Sequence, residues 1–592
     1  MKISTSPLLN TLFLLLASLA TACSQTTNPD QTTATKPATT ALNKKPNWWK
    51  ETTVYQLYPR SFQDSNGDGV GDLKGIISRL DYLKSIGVGA VWLNPIYGSP
   101  NDDNGYDISD YRAIMKDFGT MADFDALLKG MHTRGIKLVM DLVVNHSSDE
   151  HAWFKSARAS RTSPYRDYYY WWPAEKGTPP ARYSIFDVKH DAWQYDAPTK
   201  SYYLHYFSRK QPDLNWNNPK LRQEVHNIMK FWLDKGIDGF RMDAFQFVAK
   251  DPSFPPMPGL TAQNFANAYN HGPHLHDYLQ EINREVLSKY NVMTVAEGAG
   301  RNPTEAHLFV DPARKELDMT YHFEGVDVGS NSETYRLTDL KRVFTKWDSS
   351  FARQGWQAID LGNHDQPRMV SKFGDDRPAF RAPSAKLLNT FILSMRGTPY
   401  CYSGDELGMT NIKFEKIDDY RDLAALNGYA LVKSQGGNLP AYLKNLKRFS
   451  RDNSRTPFQW DATANAGFTT GTPWLKVNPN YLTVNEAAQE KDSASVLNHF
   501  RRAIALRKQH PVLTYGQYDL LDAANPHIYA YTRTQGNDKA LVVLNFSAEQ
   551  RAWALPAGLT LGGAPWLNNY PNFTAGPTLA LLPWQAVVLP LR

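Results

Sequence analysis

The stretch NVMTVAEGAG, residues 291–300, is an apolar run that ends in a carboxylate, and two other stretches repeat this pattern. Glu297 ends this run, Asp243 ends DGFRMD, and Asp365 lies in WQAIDLGNHDQPR. An unbroken apolar run predicts a strand that is buried on both faces, as in a parallel sheet. The carboxyl ends of such strands carry the active site of a (β/α)₈ barrel. A helix cap or structural ion pair is the alternative for any one of these carboxylates, but three in one register favour an enzyme.

The rest of the chain repeats the same unit. Helical patterns separate the apolar runs, with apolar residues at steps of three and four in 73–86 and 221–235. Alternating strands and helices predict parallel β/α units, and eight of them predict an α/β protein with a closed (β/α)₈ TIM barrel. The eight expected strands are Val54–Tyr58, Ala90–Leu93, Leu138–Val144, Gly239–Met242, Val292–Ala296, Met319–Phe323, Ala358–Leu361 and Thr398–Tyr402.

Spacing and composition predict the domain boundaries. About ninety residues separate the third and fourth runs, so we expect a small inserted domain after the third strand, at 145–213, that covers the carboxyl face of the barrel. The barrel then comprises 47–144 and 214–514. From 515 to 592 short alternating runs without a helix predict a C-terminal antiparallel β-sandwich.

The N-terminus predicts export. Lys2, an apolar stretch and small residues precede Cys23, which resembles a bacterial lipobox, so residues 1–23 are expected to be a lipoprotein signal peptide with Cys23 lipidated. An ordinary cleaved signal peptide is the alternative. Residues 24–46 are rich in Thr, Ala, Pro and Gln and predict a flexible tether. We therefore expect an exported protein, lipid-anchored to a bacterial membrane in the periplasm or at the cell surface, with no other membrane contact.

Composition limits the partners. The net charge of +6 is small beside 65 basic and 59 acidic residues, and no basic run is present, so nucleic acid is not an expected partner. No obligate protein partner is evident. The 16 Trp and 31 Tyr fit a protein that stacks rings on sugars, although large barrels also bury many aromatic residues.

Several motifs resemble the α-amylase superfamily of glycoside hydrolases. DLVVNH, DGFRMD, Glu297 after a strand, and NHD occur in the order of that superfamily. VYQLYPRSF, DSNGDGVGDLKGI, SPNDDNGYDISDY, QPDLNW, NHDQPR and SRDNSRTPFQW resemble its oligo-1,6-glucosidase/α-glucosidase branch. The resemblance implies that Asp243 is the nucleophile, Glu297 the general acid/base and Asp365 a stabiliser of the transition state.

The chemistry of a retaining glycosidase agrees with these roles, because it needs one ionised and one protonated carboxyl about 5 to 5.5 Å apart. Arg241 is two residues from Asp243 on the same strand, so it should face the same side and keep Asp243 ionised. Glu297 has small apolar neighbours and no adjacent cation in the sequence, and an apolar setting raises a carboxyl pKa.

The resemblance also implies substrate contacts. His146 and His364 would bind sugar hydroxyls. Tyr106, Asp107 and Arg368 would close the far side of the first glucose pocket, so that glucose is released one unit at a time; an Asp107–Arg368 structural ion pair is the alternative.

A loop near the N-terminal end of the barrel suggests a metal. Residues 64–72 place oxygen-bearing side chains at alternate positions, as in an EF-hand loop but without its distal Glu. The resemblance supports a structural Ca²⁺, with no catalytic cofactor; a metal-free turn is the alternative. The expected ligands are Asp64, Asn66, Asp68, the Val70 carbonyl and Asp72.

Two departures from the branch leave the linkage open. The first is Ala244, which follows the nucleophile. In this branch, Val at that position accompanies α-1,6 specificity, and smaller residues accompany α-1,4 activity. The second is Gly298, which begins a segment that differs from the one in oligo-1,6-glucosidases. We expect an exo-acting retaining α-glucosidase for α-1,4- and/or α-1,6-linked gluco-oligosaccharides, with some preference for α-1,4. The alternatives are a transglucosidase or sugar isomerase with the same intermediate, and a non-catalytic sugar-binding or transporter-associated protein.

Overall fold

Eight strands form one parallel sheet within the residues that the computed structural model describes, which are 47–270, 272–298, 300–330 and 334–592. Seven neighbouring pairs are hydrogen-bonded in parallel, and a bridge between Thr320 and Gln357 joins the sixth strand to the seventh and closes the barrel. The predicted (β/α)₈ barrel is therefore confirmed. The strands are Val54–Leu57, Ala90–Leu93, Lys137–Val143, Gly239–Asp243, Met293–Glu297, Met319–Tyr321, Ala358–Ile359 and Thr398–Tyr402.

The register of the central strands brings charged side chains together. Asp141 lies opposite Arg241, and Val143 lies opposite Asp243, in the pairing of the third and fourth strands. Side chains two residues apart on a strand share a face, so Asp141, Arg241 and Asp243 point to the same side of the sheet. Apolar side chains such as Trp92, Val295 and Tyr400 fill the barrel below them.

Helices surround the barrel, and local signals set their limits. Asn218 caps the helix Pro219–Lys235, Pro219 occupies its first turn, and Gly236 ends it in the left-handed conformation with a φ of 106°. The longer helices of the barrel are Met121–Thr133, Pro219–Lys235, Leu275–Glu285, Leu337–Ser350, Pro378–Ser394, Leu423–Ser434, Leu439–Phe449 and Val496–Gln509, and the shorter ones are Leu73–Ser78, Leu80–Ser85, Phe265–Tyr269, Pro303–Val310, Phe323–Val326, Met369–Phe373, Glu486–Lys491 and Val512–Tyr515.

The inserted segment, residues 145–213, follows the third strand and precedes the helix Pro219–Lys235. It contains the helix Ala152–Ala159 and an antiparallel sheet of the strands Trp171–Pro173, Ser201–Leu204 and Trp193–Asp196, in that order. A bridge between His146 and Asp213 closes its base. Its aromatic side chains pack on the residues that follow the fourth strand.

The C-terminal part is antiparallel, as predicted. A five-stranded sheet contains Gln517–Leu521, Ile528–Gln535, Asp538–Asn545, Ala586–Pro590 and Leu567–Asn568, and a second sheet pairs Arg551–Ala554 with Thr578–Leu581. One face of the larger sheet packs on Trp553 and Leu579 of the smaller one, and the other face packs on the barrel helices. This alternation follows from the two-residue period of a strand.

The predicted signal peptide 1–23, its Cys23 and the tether 24–46 lie outside the described residues. Within the described part of the chain, no helix is long and apolar enough to span a membrane.

Candidate active site

Arg241 lies at the centre of a cluster of three carboxylates. Its Nη1 is 2.7 Å from Asp141 Oδ1 and also contacts Asp243, while its Nη2 contacts Glu297. Its Nε donates to the Tyr321 hydroxyl at 3.0 Å. Arg241 is only 1% exposed, so these contacts take place away from bulk water.

The position of Glu297 corrects one expectation from the sequence. Glu297 has a cation beside it, because the fourth and fifth strands are neighbours and bring Arg241 to it. Burial still raises the pKa of Glu297 above its ordinary value, with Arg241 and the Ala244 N–H opposing and the nearby Asp365 and Asp141 adding to the rise. Burial also raises the pKa of Asp243, although Arg241 opposes it. One guanidinium contacts three buried carboxylates, so the ionisations of these carboxylates are coupled.

The pKa of Asp365 shifts in the opposite direction. Its Oδ1 is 2.7 Å from Arg455 Nη2 and 3.0 Å from Arg451 Nη1, and its Oδ2 is 3.3 Å from His364 Nε2. Burial raises the pKa of Asp365, but these neighbours outweigh burial and lower it below its ordinary value. Burial lowers the pKa of His364 to about 3, so His364 is neutral and the two arginines keep Asp365 ionised.

Hydrogen bonds fix the ring of His364. Gln56 Nε2 lies 2.7 Å from His364 Nδ1 and donates to Asn94 Oδ1 at 2.9 Å. Asn94 Nδ2 donates to the Tyr106 hydroxyl, which lies 2.7 Å from His364 Nε2. Since Gln56 Nε2 donates in both directions, this network assigns the His364 proton to Nε2, on the side of Asp365.

His146 and Tyr106 also line the cavity beside the nucleophile. Gln211 Nε2 is 3.1 Å from His146 Nε2, and burial lowers the pKa of His146 to about 3, so its ring is neutral. The Tyr106 ring stacks on His364 with a centroid separation of 5.4 Å. The cavity has a volume of about 510 Å³ and includes Asp243, Glu297 and Asp365 in its wall.

Three residues that were predicted to contact the substrate, His364, Asp107 and Arg368, are not part of the cavity wall. Asp107 is completely buried and accepts the N–H groups of Asp102 and Asp103 and the hydroxyl of Ser99, so it holds the loop in shape. Arg368 donates to the Ser403 carbonyl at 2.5 Å and packs over Tyr402. Asp107 and Arg368 therefore do not contact each other, and neither of them faces the pocket.

Asp103 and Arg451 occupy the wall instead. Arg451 Nη2 lies 3.5 Å from Asp103 Oδ1 and 2.5 Å from Asp422 Oδ1, and Arg451 also contacts Asp365. The motif NDDNGYD offers three candidate aspartates, and sequence position does not show which of them faces the substrate. Arg451 and Arg455 lie in SRDNSRTPFQW, a motif that the sequence singled out without assigning roles to its arginines.

The loop 64–72 is held by its own hydrogen bonds. Asp64 accepts the N–H groups of Asn66, Gly67 and Gly69 at 2.8 to 2.9 Å, and Asp72 accepts the Gly75 N–H at the start of a helix. Across the described residues, no group of three or more His, Cys, Asp or Glu side chains is arranged to hold a metal ion. The donor set is composed of oxygens, as Ca²⁺ prefers, but its carboxylates do not converge. Calcium binding therefore stays a prediction.

The chain matches the family model of the alpha-amylase catalytic domain over residues 56–516. It belongs to the α-amylase family. An oligo-1,6-glucosidase of Parageobacillus thermoglucosidasius is 51% identical over 559 residues, which cover 92% of this chain and 99% of that protein. A trehalose-6-phosphate hydrolase of Bacillus subtilis is 46% identical over 520 residues, 86% of this chain and 92% of that protein.

Solved structures of the α-amylase family show the same fold. The crystal structure of an isomaltulose synthase from Klebsiella sp. LX3 has a TM-score of 0.89 and 44% sequence identity, and covers 93% of this chain and all of that one. The family and the enzyme class predicted from the motifs are confirmed.

Proposed function

We propose that this α-amylase family enzyme is an exo-acting retaining α-glucosidase that releases glucose from the non-reducing end of α-1,4- and/or α-1,6-linked gluco-oligosaccharides. The observation that carries the proposal is the contact of one buried guanidinium, Arg241, with both Asp243 and Glu297 in the wall of a single cavity. A retaining mechanism needs two such carboxyls with different protonation states.

The reaction proceeds in two displacements. The Asp243 carboxylate attacks the anomeric carbon while the proton of Glu297 passes to the glycosidic oxygen, whose bond to that carbon breaks. Glu297, now ionised, takes a proton from water, and the water oxygen displaces Asp243 from the anomeric carbon. Asp365, kept ionised by Arg451 and Arg455, stabilises the positive charge that develops on the sugar.

The contact between Asp103 and Arg451 supports exo action. It joins the loop that contains Asp103 to the loop that contains Arg451 across one side of the cavity. A carboxylate and a guanidinium at this place bind the hydroxyls of a terminal glucose through charge-assisted hydrogen bonds and leave no passage for a longer chain.

Substitution of the acid/base tests the proposal. Glu297→Gln keeps the shape of the side chain but removes its proton donor, so hydrolysis of maltose and isomaltose should fall by about 10²- to 10⁴-fold, with an unchanged circular dichroism spectrum. Glu285→Gln, which changes a glutamate on an outer helix, should be silent. Near-normal turnover by Glu297→Gln would contradict the assignment.

A second candidate is transfer of the glucosyl group to a sugar, with net isomerisation of a disaccharide. The similarity to an isomaltulose synthase favours considering it, since the same covalent intermediate serves both reactions. A time course of products from maltose, isomaltose, sucrose and trehalose separates them: persistent new disaccharides without glucose indicate transfer, and glucose alone indicates hydrolysis.

We also propose that the loop 64–72 binds a structural Ca²⁺ through Asp64, Asn66, Asp68, the Val70 carbonyl and Asp72. The all-oxygen donor set at alternate positions supports this. Thermal unfolding in CaCl₂ and in EDTA tests it: the melting temperature should rise with calcium in the wild type and not in Asp68→Asn. Equal melting temperatures of the wild type in both solutions would contradict it.

We propose as well that Cys23 is lipidated and anchors the exported enzyme to a bacterial membrane. The residues before Cys23 and the polar segment 24–46 support this. Fractionation of cells that express the full chain tests it. The wild type should sediment with membranes and Cys23→Ala should not; a wild type found only in the soluble fraction would contradict the anchor.

A further inference from the structure

Lys250 is a buried lysine that lies close to the active site. It is only 4% exposed and belongs to the segment that follows the turn Phe245–Phe247, after the fourth barrel strand. Its Nζ donates to the Phe247 carbonyl at 2.7 Å and to Asn145 Oδ1 at 2.9 Å, and it lies 3.5 Å from Asp213 Oδ2. An ammonium has three N–H groups, so these three acceptors satisfy it.

The three acceptors belong to different parts of the fold. Asn145 follows the third barrel strand, Phe247 follows the fourth, and Asp213 ends the inserted segment. Burial lowers the pKa of Lys250 below its ordinary value, while the charge of Asp213 opposes this shift. A buried charge is tolerated only when it is paired and hydrogen-bonded, so these contacts hold the ammonium in one position.

The contact with Lys250 fixes the orientation of the Asn145 carboxamide. An ammonium can only donate, so the atom of Asn145 that faces it is the oxygen. Asn145 Nδ2 therefore faces the other way, where it lies 3.2 Å from Asp213 Oδ1 and 3.2 Å from His146 Nδ1. The Asp213 carboxylate also requires a donor, which agrees with this orientation.

The orientation of Asn145 determines which nitrogen of His146 carries the proton. Burial lowers the pKa of His146 to about 3, so the neutral ring has a single N–H. Because Asn145 Nδ2 donates to Nδ1, the proton is on Nε2, which lies 3.2 Å from the Tyr106 carbonyl and can donate to it. Gln211 Nε2, which is also near His146 Nε2, donates to Asp103 Oδ2 at 3.1 Å.

We propose that Lys250 is a positioning residue that acts through Asn145 and keeps His146 as an Nε2–H donor at the cavity wall. Without the ammonium, the Asn145 carboxamide can turn and offer its oxygen to Nδ1, which moves the proton to Nδ1 and leaves Nε2 as an acceptor. Lys250 is not part of the cavity wall, whereas His146 is. This role rests on the proposed glucosidase function, in which His146 binds a sugar hydroxyl.

A double-mutant cycle between Lys250 and His146 tests this role, because its coupling shows whether one residue acts through the other. Lys250→Met keeps the length of the side chain and removes its charge. It should lower kcat/KM for p-nitrophenyl α-glucoside by about 10-fold, the value of one hydrogen bond to a charged group. His146→Ala should cost at least as much. In the His146→Ala background, Lys250→Met should cost less than about 2-fold.

Lys137→Met is the matched control. Lys137 Nζ lies 2.8 Å from Asp238 Oδ1, also a buried carboxylate, but at the start of the third barrel strand, the end away from the active site. Lys137→Met should lower the melting temperature and leave kcat/KM within about 2-fold of the wild type, with or without His146→Ala.

Lys250→Met leaves Asp213 without a counter-ion, so a variant that combines Lys250→Met with Asp213→Asn is measured beside it and should show the same coupling to His146. Equal losses of kcat/KM from Lys250→Met with and without His146, or wild-type kcat/KM in either folded Lys250 variant, would overturn the role of Lys250. A wild type that cleaves no α-glucoside would refute the proposed function and this role with it, a result distinct from equal losses in an active enzyme.

Discussion

The backbone N–H of Ala244 donates a hydrogen bond of 2.7 Å to Glu297 Oε2 and so joins the residue after the nucleophile to the acid/base. Ala244 makes this contact from the left-handed region, with a φ of 44° and a ψ of 26°. That region is strained for residues with a β-carbon and strongly disfavours β-branched ones. Residue 244 therefore affects both the wall of the cavity and the acid/base.

Substitution of Ala244 should change the pH dependence. Glu297 must be protonated to act, so activity falls as the pH rises through its pKa, and an N–H donor to its oxygen lowers that pKa. Ala244→Val strains the turn and weakens the hydrogen bond, so the basic limb of kcat/KM should move to higher pH. Ala244→Gly, which relieves strain, should leave the limb in place. The pH profile of p-nitrophenyl α-glucoside hydrolysis measures the basic limb of each variant. Identical profiles for Ala244→Val and the wild type would contradict the effect of residue 244 on the pKa of Glu297.

Asp103 and Arg451 should act as a pair. Asp103→Asn and Arg451→Met should each lower kcat/KM by about 10- to 100-fold, because each removes one member of a buried, charge-assisted contact. The fold-loss of kcat/KM in the double variant should be smaller than the product of the two single fold-losses. A double-mutant cycle measures this difference.

The matched control for Asp103 is Asp107→Asn. It should lower the melting temperature, since Asp107 accepts hydrogen bonds that shape its loop, while the folded enzyme keeps most of its kcat/KM. A loss of activity by folded Asp107→Asn as large as that of Asp103→Asn would show that the first glucose pocket was assigned wrongly.

Gln56 should control the protonation of His364. Gln56→Glu places a carboxylate at Nδ1, which favours a proton there and raises the pKa of the ring. We expect a lower kcat/KM and an additional ionisation in the pH profile that the wild type lacks. Gln56→Met fills similar space without charge and should lower kcat/KM without adding an ionisation. A Gln56→Glu profile parallel to that of the wild type would contradict this role.

The sequence predicted the barrel well because its strands are continuous apolar runs and its helices carry a strong period. The strand Met293–Glu297, for example, begins one residue after the predicted run and ends at the carboxylate itself. It also indicated Asp243, Glu297 and Asp365, because Asp243 and Glu297 end their strands and Asp365 lies in the loop after its strand. It failed where a contact depends on neighbouring strands, as with Arg241 beside Glu297. It failed again in loops, where Asp103 and Asp107 are only four residues apart but face different surroundings.

A covalent trap tests directly whether Asp243 is the nucleophile of a retaining glucosidase. The enzyme would be inactivated with 5-fluoro-α-D-glucosyl fluoride, digested, and analysed by mass spectrometry for the labelled peptide. We expect one fluoroglucosyl group, attached to Asp243 in the peptide that contains residues 239–243. A label on Glu297 or Asp365, or steady turnover that gives β-glucose as first product without any label, would contradict it.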